Sequence, residues 1–256
     1  MSRIKELFIR KQQRILNVYC TAGYPARDST IEVMEGLQAA GVDMIELGMP
    51  YSDPLADGPI IQASSAKAIE NGMSIPVLLD QLQGFRKKIH VPVVLMGYMN
   101  PVVQFGFEKL CKAAAAAGID GFILPDLPLY EFTKEYKMIL QENGLDFIFL
   151  ITPETSEERI RLIDEQSSGF LYAVSSSSTT GTDKDFSQVE KYLERLNRMQ
   201  LKNPVLAGFG IRDRITFESA CVHASGAIIG TAFVKAIDGK NNLSGAIESF
   251  IKPIRN

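Results

Sequence analysis

The chain has 256 residues, 46% of them apolar, enough for a sizeable core, with a formal net charge of −3 and a pI of about 5.6 that give no basic surface for nucleic acid. No apolar run approaches the roughly 20 residues that span a bilayer, and the charged start, Met1-Ser-Arg-Ile-Lys-Glu-Leu-Phe-Ile-Arg10, lacks the apolar core of a signal peptide. With Cys20, Cys111 and Cys221 odd in number and widely spaced, a cytoplasmic protein with reduced, buried thiols is expected.

Residues 2–10 read as a helix ahead of the first strand, able to cover the base of whatever follows. Short apolar or β-branched runs then occur at 15–20, 42–47, 91–96, 121–124, 146–151, 169–174, 204–207 and 227–229. Helical patterns lie between them. Over 29–40, Ile31, Val33, Met34 and Leu37 recur at helical spacing, with Asp28 or Ser29 as N-cap. Two helical patterns within 61–90, joined near 71–76, form an insertion after the second strand. The Ala-rich segment 107–117 stops at Gly118, and 156–166 opens on Ser156-Glu-Glu. Strands that are apolar throughout imply a parallel sheet covered on both faces. Eight of them, separated by helices in a chain close to the roughly 250 residues typical of the fold, predict an α/β protein: one (β/α)8 TIM barrel over 1–256. A doubly wound sheet would want a G-x-G-x-x-G turn after its first strand, and none is present.

The most informative stretch is Glu46-Leu-Gly-Met-Pro-Tyr-Ser-Asp-Pro-Leu-Ala-Asp-Gly-Pro59. Glu46 ends an apolar strand, where an acid needs a partner or a task, and the C-terminal ends of barrel strands face the reaction site. Asp53 and Asp57 follow in a Gly/Pro-rich loop. Further on, Gly208 and Gly210 follow the seventh strand, Gly230 and Thr231 the eighth, and the polar loop 175–185 the sixth. Together these suit a phosphate held by backbone N–H groups under a closing lid. No metal-ligand set is visible: His90 and His223 read as structural, and no Cys pair has zinc spacing. No strand core carries a Schiff-base lysine, and no Ser–His–Asp order suggests itself. Acid–base work by Glu46 and Asp57 remains, with Tyr172 placed to assist.

Together with Gly97-Tyr-Met-Asn-Pro101, Pro125-Asp-Leu-Pro128, Thr180-Gly181, Gly208-Phe-Gly210 and Gly230-Thr231, in this order and spacing, the 46–59 motif resembles the α subunit of tryptophan synthase over essentially the whole chain. The resemblance implies a cofactor-free retro-aldol cleavage of indole-3-glycerol phosphate to indole and glyceraldehyde 3-phosphate. Glu46 would take the proton of the C3′ hydroxyl and shuttle one to indole C3, while Asp57 would bond the indole N–H. Gly181, Gly210, Gly230 and Thr231 would surround the phosphate. Tyr19, Met96, Tyr98, Tyr172, Thr180 and Phe209 would line the substrate pocket, and Thr180 would meet Asp53 on closure. The implied partner is a β subunit, in an assembly of two α and two β chains, that receives indole and is met at Pro54, Asn100 and Pro128. Departures from the family pattern are Ser176 and Ser178 in the lid, where Arg and Gly are usual, Thr231 where Ser is frequent, and Tyr19 where Phe is common. Two rival readings stand beside this one. Another phosphosugar barrel, an isomerase or indole-glycerol-phosphate synthase, is one, although the synthase would need strand lysines. The other is a catalytically idle subunit that binds ligand only to activate its partner.

Overall fold

The computed structural model describes residues 1–174 and 186–255, with backbone alone at 186–188. Nine strand segments run parallel: β1 (Ile15–Thr21), β2 (Met44–Gly48), β3 (Val93–Met96), β4 (Gly121–Ile123), β5 (Asp146–Phe147), β6 (Leu150–Ile151), β7 (Leu171–Ala173), β8 (Val205–Ala207) and β9 (Gly226–Ile229). Their order is β5-β4-β3-β2-β1-β9-β8-β7-β6. The two outermost segments, β5 and β6, are halves of one stretch of chain, so the sheet closes on itself as an eight-staved barrel. Ile148 N–H donates to Phe122 O on one side of that stretch, and Tyr172 N–H donates to Phe149 O on the other, each at 3.0 Å. The expected fifth strand is therefore present but interrupted. Serines from the turn before β7 account for it: Phe147 N–H donates to the Ser168 hydroxyl, and Phe149 N–H to that of Ser167, in place of regular ladder partners.

Two layers of apolar side chains fill the molecule. Inside the barrel, Ile15, Met44, Val94, Ile123, Ile148, Phe170, Leu206 and Ile228 pack together, and Ile4 and Leu7 of the helix Arg3–Arg10 close them off from below. The extra N-terminal helix thus covers the base, as expected. Ion pairs hold it and the C-terminal helix Leu243–Arg255 in place. Arg3 reaches Asp120 at 2.9 Å, Arg86 bonds the same carboxylate, and Lys11 and Arg255 share Asp43. The second, larger layer lies between strands and surrounding helices and holds all three cysteines, which are buried and unpaired.

The insertion after β2 forms the helices Pro59–Glu70 and Ile75–Gln81. Pro59 opens the first, where its missing N–H costs nothing, and Ser74 caps the second by accepting from Val77 N–H. Gly118 ends the helix Phe107–Ala117 in the left-handed conformation, φ +100°. One cap differs from expectation. The helix Thr30–Ala39 follows Ser29, but the Ser29 hydroxyl donates instead to Ala26 O at 2.6 Å, closing the single 3-10 turn Arg27–Ser29. Among the described residues no helix is long and apolar enough to cross a membrane.

Candidate active site

Strand parity decides which side chains reach the barrel's interior. Ile15 belongs to the inner layer, and Asn17 and Tyr19 share its face of β1. Met44 and Glu46 do the same on β2, and Val94 and Met96 on β3. The register pairs Tyr19 with Glu46 and Gly48 with Met96, and Tyr172 enters from β7. These residues therefore converge toward the C-terminal end of the barrel, where this fold does its chemistry.

Glu46 has no exposed surface. Its Oε1 accepts a hydrogen bond from Asn17 Nδ2 at 2.5 Å, and its Oε2 has no partner among the described residues. Burial pushes its carboxyl up to about 8, opposed by the Asn17 bond. Asp57, half-buried in the loop after β2, is pushed up to about 6 by burial, opposed by a hydrogen bond from the Tyr98 hydroxyl. That hydroxyl also accepts from Ala56 N–H at 3.2 Å, which fixes the loop to the tyrosine. Tyr19, Asp57, Met96 and Tyr98 line one cleft, together with Pro54 and Tyr51. Burial first, then the charges of Glu46 and Asp57, raise the Tyr172 hydroxyl well above its ordinary value, and both charges act on Tyr19 as well. The two carboxylates and two tyrosines thus form one electrostatic unit. Burial pushes both carboxyls upward, Glu46 further than Asp57, the kind of separation that allows a proton donor and a charge stabiliser to work side by side.

Two glycines make room for the rings. A Cβ at Gly48 would lie 2.2 Å from the Tyr19 hydroxyl, and one at Gly208 would lie 1.9 Å from Tyr172 Cε2. Gly208, expected to admit an anion, thus has a steric task in the pocket wall. The Tyr19 hydroxyl, its polar departure from a phenylalanine, accepts from the Thr21 hydroxyl at 3.3 Å. Gly210 differs: it is exposed, at φ +67°, and a Cβ there would meet nothing within 4 Å. Phe209 beside it is half-buried against the outer core. Gly230 precedes the helix Thr231–Ile237, and β8 and β9 are neighbours, so Gly210, Gly230 and Thr231 lie at the ends of adjoining strands.

Asp53 is exposed, with the Ser52 hydroxyl donating to its carboxylate. Asn100 and Pro128 are exposed at the mouth, whereas Pro54 is buried in the cleft wall and its neighbour Leu55 stands 87% exposed. Thr180 and Gly181 lie outside the described residues, as do Ser176 and Ser178. Asn17 is the residue that sequence reasoning passed over, though a polar side chain in the run Ile15-Leu-Asn-Val-Tyr-Cys20 carried the same signal as Glu46. Among the described residues no three His, Cys, Asp or Glu side chains gather as a metal site would need.

Residues 7–252 match the family model described as tryptophan synthase alpha chain. The tryptophan synthase alpha chain of Parabacteroides distasonis is 48% identical over 256 residues, covering all of both chains. Tryptophan synthase subunit alpha from Legionella pneumophila superposes with a TM-score of 0.91 at 32% identity, covering 100% of this chain and 97% of that one. A chain of tryptophan synthase from Mycobacterium tuberculosis, in its aminoacrylate-bound form, gives 0.87 at 29% identity, covering 99% and 98%. Likeness of this degree along both full lengths, over a barrel with two carboxylates at its mouth, leads to one conclusion: the chain belongs to the tryptophan synthase alpha chain family.

Proposed function

We propose that this chain, as one barrel domain over 1–256, cleaves indole-3-glycerol phosphate to indole and glyceraldehyde 3-phosphate with Glu46 and Asp57 as its catalytic pair. The observation that carries this reading is a carboxyl, Glu46, buried inside the barrel with its Oε2 unpartnered among the described residues, paired across the sheet with Tyr19, which lines one cleft with Asp57. Neutral Glu46 gives its proton to indole C3, and ionised Asp57 stabilises the positive charge that appears at the indole nitrogen. The resulting Glu46 carboxylate takes the proton of the C3′ hydroxyl. The O–H electrons become the carbonyl of glyceraldehyde 3-phosphate, and the C3–C3′ pair flows back into the indole ring. Glu46 ends protonated, ready for another cycle. The indole serves as its own electron sink, so no bound cofactor is called for. Tyr19, Met96, Tyr98, Tyr172 and Phe209 flank the indole and glycerol portions. Gly210, Gly230 and Thr231, with Gly181, hold the phosphate by neutral N–H and hydroxyl groups. Thr180 meets Asp53 as the lid closes and excludes water.

The match to a chain of whole tryptophan synthase supports a β-subunit partner, and we assign two α and two β chains to the assembly, working in the cytoplasm. Asn100 and Pro128 are exposed at the mouth, and beside them Leu55, Val103 and Tyr130 present apolar side chains 87%, 56% and 69% exposed. An apolar rim at the end where indole leaves suits a docked partner that receives it. The test is indole release from indole-3-glycerol phosphate by the wild type and by Glu46→Gln, each with and without a β subunit. Release that falls by ~10²–10⁴ in the variant and rises with β is expected. Tight substrate binding without release under any condition would instead identify a subunit that only activates its partner.

A further inference from the structure

Asn17 sits inside an apolar barrel with no exposed surface, one inward position below Tyr19 on β1 and diagonal to Glu46 on β2. Its Nδ2 donates to Glu46 Oε1, while its own Oδ1 has no partner among the described residues. A valine or leucine would fill this place without stranding an amide oxygen, so packing alone does not account for the residue. The chemistry of the bond does. An amide N–H can only donate, so Oε1 must accept whether Glu46 is charged or neutral. When the acid is neutral its proton therefore sits on Oε2, the oxygen left without a protein partner.

Resting on the reading of Glu46 as the proton carrier, we propose that Asn17 is a positioning residue for the cleavage: it pins Oε1 and so reserves Oε2 as the one oxygen that gives and takes the travelling proton. A carboxyl held at one oxygen cannot turn about its last bond, and proton transfer falls steeply when the donor strays from its line of approach. The same bond supports the charged intermediate state of Glu46. The other titratable groups within electrostatic reach are Tyr19 and Cys20 on β1 and Tyr172 on β7. None of these favours a charged Glu46. The tyrosines and the thiol are themselves kept neutral by burial, Cys20 at about 12. Asn17 alone opposes the effect of burial on this carboxyl.

The experiment compares wild type, Asn17→Leu, Asn17→Asp, Glu46→Gln and the double variant Asn17→Leu/Glu46→Gln in the complete complex. Steady-state indole release is followed against pH, and the Glu46 carboxyl is titrated directly by NMR on labelled α chain. Asn17→Leu removes the donor and keeps the bulk, while Asn17→Asp keeps the shape and serves should the leucine disturb the fold. Each should lower kcat by ~10–10²-fold, leave KM within a few-fold, and move the Glu46 titration and the alkaline limb of kcat/KM upward by about one pH unit or more. The double variant should be no slower than Glu46→Gln, because a residue that acts through Glu46 has nothing left to position. Losses that add in the double variant, or a Glu46 titration that stays put in both single variants, would overturn the role of Asn17 while leaving Glu46 as the carrier. Near wild-type release by Glu46→Gln would instead overturn the reading of Glu46 itself.

Discussion

Gly208 and Tyr172 occupy adjoining strand ends so closely that a single added carbon on the glycine would overlap the tyrosine ring, at 1.9 Å from Cε2, 2.6 Å from Cζ and 2.7 Å from the hydroxyl. The ring lies over bare backbone, and that is how a large aromatic side chain reaches from β7 toward the two carboxylates. Gly208→Ala is therefore expected to push Tyr172 out of its place in the pocket wall. Overpacking of this kind costs about 1–3 kcal/mol, and a displacement of about 1 Å near reacting groups lowers rate by up to ~10²-fold. Thermal unfolding together with indole-release kinetics checks this. A variant with wild-type kcat would show that the ring can move without consequence.

The separated carboxyls make the pH dependence specific. In free enzyme Asp57 must be ionised and Glu46 protonated for the first proton transfer. Activity as kcat/KM should rise as pH passes about 6, where Asp57 loses its proton, and fall as it passes about 8, where Glu46 does. Asp57→Asn should abolish the lower limb and leave the upper one. A pH–rate profile of each enzyme with saturating β subunit is the measurement, and an upper limb that survives Glu46→Gln would assign it to another group.

Phosphate binding carries its own expectation. Gly210 is exposed, at φ +67°, with open space around it. Gly210→Asp both strains that conformation and sets a negative charge beside the expected anion. KM for indole-3-glycerol phosphate should rise by ~10-fold or more, the size of one lost charge-assisted contact, and competition by inorganic phosphate should weaken in parallel. Unchanged competition would place the anion elsewhere.

Much of this architecture was legible because its signals are local. Each apolar run marks a buried strand, and Gly118 and Ser156 mark helix ends through their own backbone and side-chain chemistry. Glu46 stood out as a charge in an apolar strand. Asn17 gave an equal signal, but what it bonds depends on the pairing of β1 with β2, which no local pattern states. In the sequence Gly208 suits the task of a backbone cradle, as a glycine at a strand end does. Only the approach of Tyr172 from another strand reveals the steric one. The broken fifth strand likewise depends on Ser167 and Ser168 arriving from the next turn of the chain to take the bonds of Phe147 and Phe149. What was missed is what tertiary contact decides.

The base of the barrel offers a test that leaves the mouth untouched. Asp120, 4% exposed, bonds Arg3 and Arg86 and accepts from Val93 N–H at 2.8 Å. Removing its charge leaves the Arg86 guanidinium, which burial already presses toward its neutral form, with only the carbonyls of Gly118, Ile89 and Val91 as acceptors. Asp120→Ala should lower stability by about 3–5 kcal/mol, read from urea unfolding midpoints, with kcat of the folded fraction within a factor of about two, because Asp120 lies at the opposite end of the barrel from the site.

Glu46 should weaken the fold it serves. Its folded-state value, about 8, lies above the ordinary 4.5, because burial disfavours its charge. Between those two values the folded chain holds a proton that the unfolded chain has lost. The linkage sign is then negative: stability is unaffected below about 4.5, falls by about 1.4 kcal/mol per pH unit as pH rises through the window, and levels off above about 8. At pH 7 the accumulated cost is about 3 kcal/mol. Glu46→Gln removes the ionisation and keeps the shape, so the variant should be more stable than wild type at pH 7–8, indistinguishable near pH 4.5, and catalytically disabled throughout. Urea unfolding of both proteins across pH 4.5–8.5 measures the difference directly. Parallel stability curves would mean that Glu46 is solvated well enough to ionise freely, and the proton with which it is proposed to begin the reaction would not be there.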